Sequence, residues 1–296
     1  MKFSVCVAVY NGEAFLARAL DSIVAQTFSD YELLILDDGS KDSSTSIAKK
    51  YPATLIEQAN QGIGAARRHL LSEASGDWIA FLDHDDWWEP TYLEEMAALT
   101  SEPTVLAFCD AYIVDEHATR QSFELPPPIG HDGLGHLIPQ RVWNVCCVTE
   151  RRAVLEVGSY PNDLRACEDW FVWFRLAAKG RFSYLDKKLV NVTRRSGSAS
   201  AASEAYYAAE EQVVTGVIEQ FDTLYGNLPA DRAQFYLAKL KEKLGLILSL
   251  KADRVAQNGD FDGARVLHAR AVKLAPKLKG VWYRWLRNRV GATKLS

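Results

Sequence analysis

Residues Gly76–Pro90, GDWIAFLDHDDWWEP, form a short apolar run that ends in a burst of acid. Trp78 to Leu82 has the length, the aromatic and the β-branched content of a buried strand. Asp83, His84, Asp85 and Asp86 follow at its carboxyl end. Adjacent carboxylates repel one another, and burying them unaided is costly. A divalent cation relieves that cost. Asp83 and Asp85 are one residue apart, so in extended chain they lean to the same side and can converge on one ion, directly or through water. An all-oxygen donor pair suits Mg or Mn better than Zn. The bland reading of a lone pair is a solvated acidic turn before a helix that starts near Glu89-Pro90. The surroundings decide between the two.

Upstream, Phe3 to Val9 reads as a first strand, closed by Tyr10, Asn11 and Gly12. Phe15, Leu16, Leu20, Ile23 and Val24 then fall at helical spacing. Leu33 to Leu36 is a second strand, ending in Asp37-Asp38-Gly39-Ser40, and Thr54 to Glu57 a third. Gln61-Gly62-Ile63-Gly64 opens another helix. The dinucleotide fingerprint is absent, because Arg67 stands where its third glycine belongs. Repeated strand-helix alternation predicts an α/β fold, a mainly parallel sheet flanked by helices on both faces. Ligands in such sheets bind outside the carboxyl ends of the strands. Asn11, Asp38 and Asp83 all stand at such ends.

Downstream, Val105–Cys109 and Tyr112–Val114 read as two strands or one with a bend, and Ser122–Gly135 as Pro- and Gly-rich loop. Arg141–Thr149 is an apolar β-type run. Glu168 starts a strong helix through Trp170, Phe171 and Phe174, stopped by Gly180. Phe182–Leu185 and Leu189–Thr193 read as short strands. Ser196–Ser203 is small and polar, a linker composition. From Glu204 the periodicity is helical, and Ala256–Pro276 has the look of one tetratricopeptide-type hairpin, which needs neighbours to cover its apolar face. Two domains are expected, 1–200 and 201–296.

Net charge is −4 over 296 residues, which argues against a general nucleic-acid binder. The charge is uneven: no acid follows Asp262, while nine Lys or Arg do. Five cysteines show no framework spacing, and most sit in apolar runs as expected of core residues. No apolar run approaches the ~20 residues that span a bilayer. The first strand begins without a charged-then-apolar leader. A cytoplasmic setting is expected.

The segments VAVYNGEAFLARALDSIVAQT (7–27), LLILDDGSKDSS (33–44), NQGIGAARRHLLSEASGDWIAFLDHDDWWEP (60–90) and VGSYPNDLRACEDWFVWFRLAAKG (157–180) together resemble the inverting nucleotide-sugar glycosyltransferases of family 2. The resemblance covers roughly Phe3 to Ser200. It implies the Rossmann-like GT-A fold and a nucleoside diphosphate sugar donor. By motif it places Ala8, Tyr10, Asn11, Asp38, Arg67 and His84 on the nucleotide side, with Asp38 as the acid that meets the base, typically uracil. Asp83 and Asp85 match the metal-binding pair for Mn or Mg, and Asp169 the catalytic base. Ala8 stands where the family usually has Pro, and Ser196 where it often has a His that reaches the metal or diphosphate.

On that reading an acceptor hydroxyl attacks the anomeric carbon from the face opposite the diphosphate, and Asp169, ionised at a helix N-terminus, takes its proton. Trp87, Trp88, Glu168 and Trp170 flank the two acidic motifs and are the candidate sugar or acceptor contacts; singly, such indoles are core residues. Strand alternation turns His84 away from Asp83 and Asp85. The acceptor is expected to be a glycan or lipid-linked sugar of cell-surface polysaccharide synthesis. A non-catalytic nucleotide-sugar-binding module with a helical interaction tail is the alternative. Trp282, Tyr283, Trp285 and Leu286 among basic residues suit either an apolar stripe packed on the preceding helices or peripheral contact with the inner face of an anionic membrane.

Overall fold

The computed structural model describes residues 3–101, 103–115, 117, 119–121, 124–161, 164, 166–194, 204–282 and 284. The chain runs β1 (Phe3–Val9), α1 (Leu16–Val24), β2 (Tyr31–Asp37), α2 (Ser44–Ala48), β3 (Thr54–Glu57), α3 (Ile63–Glu73) and β4 (Trp78–Phe81). It continues through β5 (Trp87–Trp88), α4 (Tyr92–Ala97), β6 (Thr104–Val114), β7 (Arg120–Gln121), α5 (Gly133–Leu137), β8 (Cys147–Glu150), α6 (Arg151–Glu156), α7 (Glu168–Leu176) and β9 (Arg181–Thr193). The helical end follows as α8 (Glu204–Glu219), α9 (Phe221–Tyr225), α10 (Ala230–Gln257) and α11 (Phe261–Leu274).

One sheet holds the strands in the order β3-β2-β1-β4-β8-β6-β9-β5, with β7 on β6. The first four in that order are parallel throughout, as strand-helix alternation predicts. Beyond β4 the sheet is mixed: β8 is antiparallel to both β4 and β6, while β6 and β9 are parallel. β1 lies in the parallel half, and nearly all of its residues are buried. That is why FSVCVAV shows no polar alternation. Leu16, Ala19, Leu20 and Ile23 of α1, at helical spacing, pack with Phe3, Val5, Leu33 and Ile35 into the core.

The register brings the polar ends together. β1 pairs with β2 from Phe3↔Tyr31 to Val9↔Asp37 and with β4 from Phe3↔Trp78 to Cys6↔Phe81. The carboxyl ends of β2, β1 and β4 therefore share one edge, and Asn11, Asp38 and Asp83 follow from it.

Residues 104–114 are one strand with register shifts around Cys109, Asp110 and Ala111, the second of the two forms expected. Three sequence expectations are corrected. Residues 181–193 are one long strand, because the irregularity that the sequence presents as a break is absorbed in the pairing with β6. Residues 144–146 of the apolar run are a 3-10 turn before β8. Helix α5, N-capped by Asp132 through Gly135 N–H, occupies the end of the expected 122–135 loop.

Residue contacts divide the chain into two compact units, 1–164 with 168–198, and 165–167 with 199–296. In the second, α10 and α11 form an antiparallel pair. A Cβ at Gly245 would stand 2.7 Å from Ala275 Cβ and 3.0 Å from the Ala271 carbonyl oxygen, so a small residue there lets the helices approach. Lys251 and Arg270 both pair with Glu211, at 2.8 and 3.2 Å. Val281 is fully buried and Arg284 pairs with the buried Asp253, so this part of the basic end turns inward, as the packed-stripe reading has it. Trp282 is partly exposed, and its indole N–H donates to the Pro276 carbonyl. Tyr283, Trp285, Leu286 and the linker 196–203 lie outside the described residues.

Gly64 offers a test of the first unit. It sits in the first turn of α3, and a Cβ there would meet the Pro161 carbonyl oxygen at 2.7 Å. Gly216 in α8 has nothing within 4 Å of such a Cβ. Gly→Ala in a helix ordinarily gains up to ~1 kcal/mol. Thermal melts should show G216A unchanged or stabilised and G64A destabilised. Equal gains would show that α3 does not press on residue 161.

Candidate active site

The donor-side edge is built from loops tied to one another. Asn11 has φ of 51°, its N–H donates to Ser40 Oγ at 2.9 Å, and its Oδ1 accepts from Lys41 N–H at 2.8 Å. Gly12 lies beneath the His84 ring: a Cβ there would stand 2.6 Å from His84 Cδ2. His84 thus reaches the β1 end as well as the acid cluster. Ala8 is half-buried on β1, and Tyr10 is 45 % exposed beside it. Asp37 accepts from Ser40 N–H at 2.8 Å and from Thr45 Oγ1, a structural role.

Asp38 is buried. Its Oδ1 accepts from Gln58 Nε2 at 2.8 Å and Gln61 N–H at 2.9 Å, and its Oδ2 from Gly62 N–H at 2.9 Å. Gly62 takes φ of 87°, which only glycine adopts without strain, so the chain turns into α3 with both N–H groups aimed at the carboxylate. A carboxylate offers about four lone-pair sites, so one remains for a further donor.

Asp83 sits past β4 with its side chain 40 % exposed. Asp85 is half-buried and Asp86 buried. Asp86 Oδ1 accepts from Thr193 N–H at 2.7 Å. Burial, then the charges of Asp83 and Asp85, push the Asp86 carboxyl well above the usual range. The carboxylate crowding expected from sequence is therefore real. Asp83 and Asp85 are the carboxylates of this group that would hold Mg or Mn. Among the described residues no group of three His, Cys, Asp or Glu stands close enough to hold a metal. A cation on that pair would need further oxygens from a ligand or water.

Arg67 connects this pair to α7. Its Nη2 donates to Asp83 Oδ1 at 3.0 Å, and its Nη1 pairs with Glu168 Oε1. Both Arg67 and Glu168 are buried. Burial disfavours the charged guanidinium, but Glu168, Asp83 and Asp169 outweigh it and hold Arg67 above its ordinary value. The sequence reading assigned Arg67 to the nucleotide and Glu168 to the acceptor. In the structure the two side chains pair with one another, Arg67 also with Asp83. Neither residue reveals the other in sequence, since they stand 101 positions apart.

Asp169 opens α7 beside Glu168, and its Oδ1 accepts from Trp170 N–H at 2.7 Å. Burial first, and Glu168 second, push its carboxyl up to about 7, against Arg67 and the backbone N–H. The expectation that the helix N-terminus keeps it fully ionised underweights burial.

The glycosyl transferase family 2 model matches residues 4–152. The chain belongs to this family. It is 43 % identical over 227 residues to an uncharacterized glycosyltransferase of Nostoc, alr2836, covering 69 % of this chain and 70 % of that one. It is 27 % identical over 185 residues, 60 % of this chain and 70 % of the other, to an Escherichia coli UDP-Glc:alpha-D-GlcNAc-diphosphoundecaprenol beta-1,3-glucosyltransferase, WfaP. Two other curated bacterial relatives are matched over only 33 % and 14 % of their own lengths. Among solved structures, Staphylococcus aureus TarS 1–349 in complex with UDP-GlcNAc superposes with a TM-score of 0.72 at 22 % identity, over 97 % of this chain and 89 % of that one. That likeness confirms the GT-A architecture.

Two of the indoles expected to meet sugar or acceptor lie in the interior. Trp88 is 2 % exposed, stacked on Tyr92 at 4.2 Å, with its indole N–H donating to the Val145 carbonyl. Trp170 is buried edge-on against Phe174. Trp87 is half-buried. Thr193, which holds Asp86, was not among the sequence candidates. Its signal is position alone, at the carboxyl end of a strand facing the acidic turn.

Breaking a buried ion pair from one side leaves an uncompensated charge and costs ~3–5 kcal/mol. R67M should lose about that much by chemical denaturation, and R67M/E168Q distinctly less. Additive losses would mean that the two side chains do not depend on one another.

Proposed function

We propose that this chain is a metal-dependent inverting glycosyltransferase that moves a hexosyl or N-acetylhexosaminyl group from a UDP-sugar to a hydroxyl of a glycan or lipid-linked acceptor in cell-surface polysaccharide synthesis. The observation that carries the reading is the Asp83–Arg67–Glu168 bridge, which sets the acid pair and Asp169 in one electrostatic group. The donor class is supported by UDP-GlcNAc bound to TarS, and the acceptor class by the diphosphoundecaprenol-linked sugar in the name of WfaP.

Asp38 takes the imide N–H of uracil on its remaining lone pair, with the exposed Tyr10 ring, Asn11 and Ala8 lining that side and His84 beneath. Mn or Mg held by Asp83 and Asp85 would supply Lewis-acid stabilisation of the diphosphate. The acceptor oxygen forms a bond to the anomeric carbon as the bond to the diphosphate oxygen breaks. Its proton passes to Asp169, the diphosphate leaves with the electron pair, and the anomeric centre inverts. A base near pKa 7 matches a hydroxyl acceptor at neutral pH. Trp87 remains the candidate contact for the sugar.

Residues 1–200 form the catalytic domain and 201–296 a helical appendage in this reading. No helix among the described residues is long and apolar enough to cross a membrane. Work at the cytoplasmic face would suit a lipid-linked acceptor, with the basic end as peripheral contact.

A donor screen with Mn or Mg, reading released nucleoside diphosphate, tests the class, and EDTA or D85A should abolish release. D169N should keep donor affinity and lose ~10²–10⁴ in transfer rate. Equal losses of affinity and turnover would make Asp169 a donor-binding residue instead. The product should show the inverted anomer by NMR. Because a base works only unprotonated, kcat/KM should rise with pH to a plateau above about 7 and fall about tenfold per unit below it. A flat profile from pH 5 to 9 would remove Asp169 from that role.

A further inference from the structure

Beside its apolar stripe, α1 carries a polar one. Arg18, Ser22 and Gln26 recur every four residues, so they share one side of the helix and of the turn that ends it. Each reaches the main chain that leaves the acid cluster. Arg18 Nη2 donates to the Asp85 carbonyl at 2.8 Å and to Thr193 Oγ1 at 3.2 Å. Ser22 Oγ donates to the Ala19 carbonyl at 2.7 Å and accepts from Trp88 N–H at 3.2 Å. Gln26 Nε2 donates to the Glu89 carbonyl at 2.9 Å, and its Oε1 accepts from Leu93 N–H at 2.9 Å. Thr27 N–H donates to the Pro90 carbonyl at 2.9 Å.

The contacts bind the backbone of residues 85–93 and leave the carboxylates untouched. Arg18 carries the node nearest the acids. The Asp85 carbonyl accepts from both Arg18 and Thr193 Oγ1, the latter at 2.5 Å. The guanidinium carbon lies over the Trp87 indole, 3.8 Å from the ring centroid. A planar cation that stacks and donates along its edge is a task for Arg and not for Lys. Two donors on one carbonyl, with an indole on the face of one of them, leave the Asp85 backbone little freedom.

We propose that Arg18 is a positioning residue for the divalent cation. It fixes the Asp85 backbone so that the Asp85 carboxylate shares one ion with Asp83. This rests on the assignment of Asp83 and Asp85 as the metal holders. The sign of the effect separates positioning from charge. Removing a cation beside three acids would by Coulomb attraction alone tighten metal binding. Losing a supporting contact behind a metal ligand instead weakens it, typically by about 10–100-fold.

Mn2+ binding to the intact protein, read from the EPR signal of free Mn2+, provides the test, together with the Mn2+ dependence of donor turnover. R18M should raise the Mn2+ dissociation constant by about 10–100-fold, while saturating Mn2+ restores most of kcat. R18K keeps the charge and loses the fork, and should also weaken binding. It carries the test if R18M does not fold. R152M, which removes an exposed charge, should leave binding unchanged. Wild-type or tighter Mn2+ affinity in R18M or R18K, with D85N unable to bind, overturns the positioning role and leaves the metal assignment standing. Wild-type affinity in D85N overturns the metal assignment, and the role of Arg18 with it.

Discussion

A buried guanidinium flanked by carboxylates holds this site together. Arg67 leaves α3 at its first turns, and its two terminal nitrogens face Asp83 after β4 and Glu168 at the start of α7. An unpaired charge in that position would be prohibitive. The pairing therefore constrains three elements at once, and it works only if the strand end and the two helices arrive in one geometry. Asp169 inherits its place from this arrangement, because it follows Glu168 directly.

The same acids that make the site useful make it costly. Asp86 is buried next to Asp83 and Asp85 and is pushed toward its neutral form. The protein offsets part of the cost with contacts from three directions: Arg67 on Asp83, Thr193 N–H on Asp86, and Arg18 behind the Asp85 carbonyl. Only part of the repulsion is removed, and Asp86 stays well above the usual carboxylate range. At α7 burial acts in the same direction, pushing the Asp169 carboxyl up to about 7. A carboxyl poised at about 7 accepts a proton more readily than one at its ordinary value.

The indoles beside the two acidic motifs differ in their surroundings. Trp88 and Tyr92 stack inside the core with Met96 and Val145 close in the same cluster, and Trp170 packs on Phe174. Between two consecutive tryptophans in a strand, alternation sends one inward and leaves the other toward the rim. Trp87 is the outward one.

The sequence by itself determined the parallel half of the sheet and the location of the site on its carboxyl edge. Fully apolar strands separated by helical periods have few other solutions, and the acids at their ends mark the edge. It also determined the acid pair and the Glu168-Asp169 motif, since both stand in short local patterns. Tertiary structure alone decided what those residues touch. The antiparallel β8 between β4 and β6 depends on pairings that no local period encodes. The partnership of Arg67 with Glu168, the support of Asp85 by Arg18 and Thr193, and the burial that raises Asp169 join positions far apart in sequence. Such contacts depend on which side chains the fold removes from water together, and burial of that kind is set by the whole chain at once.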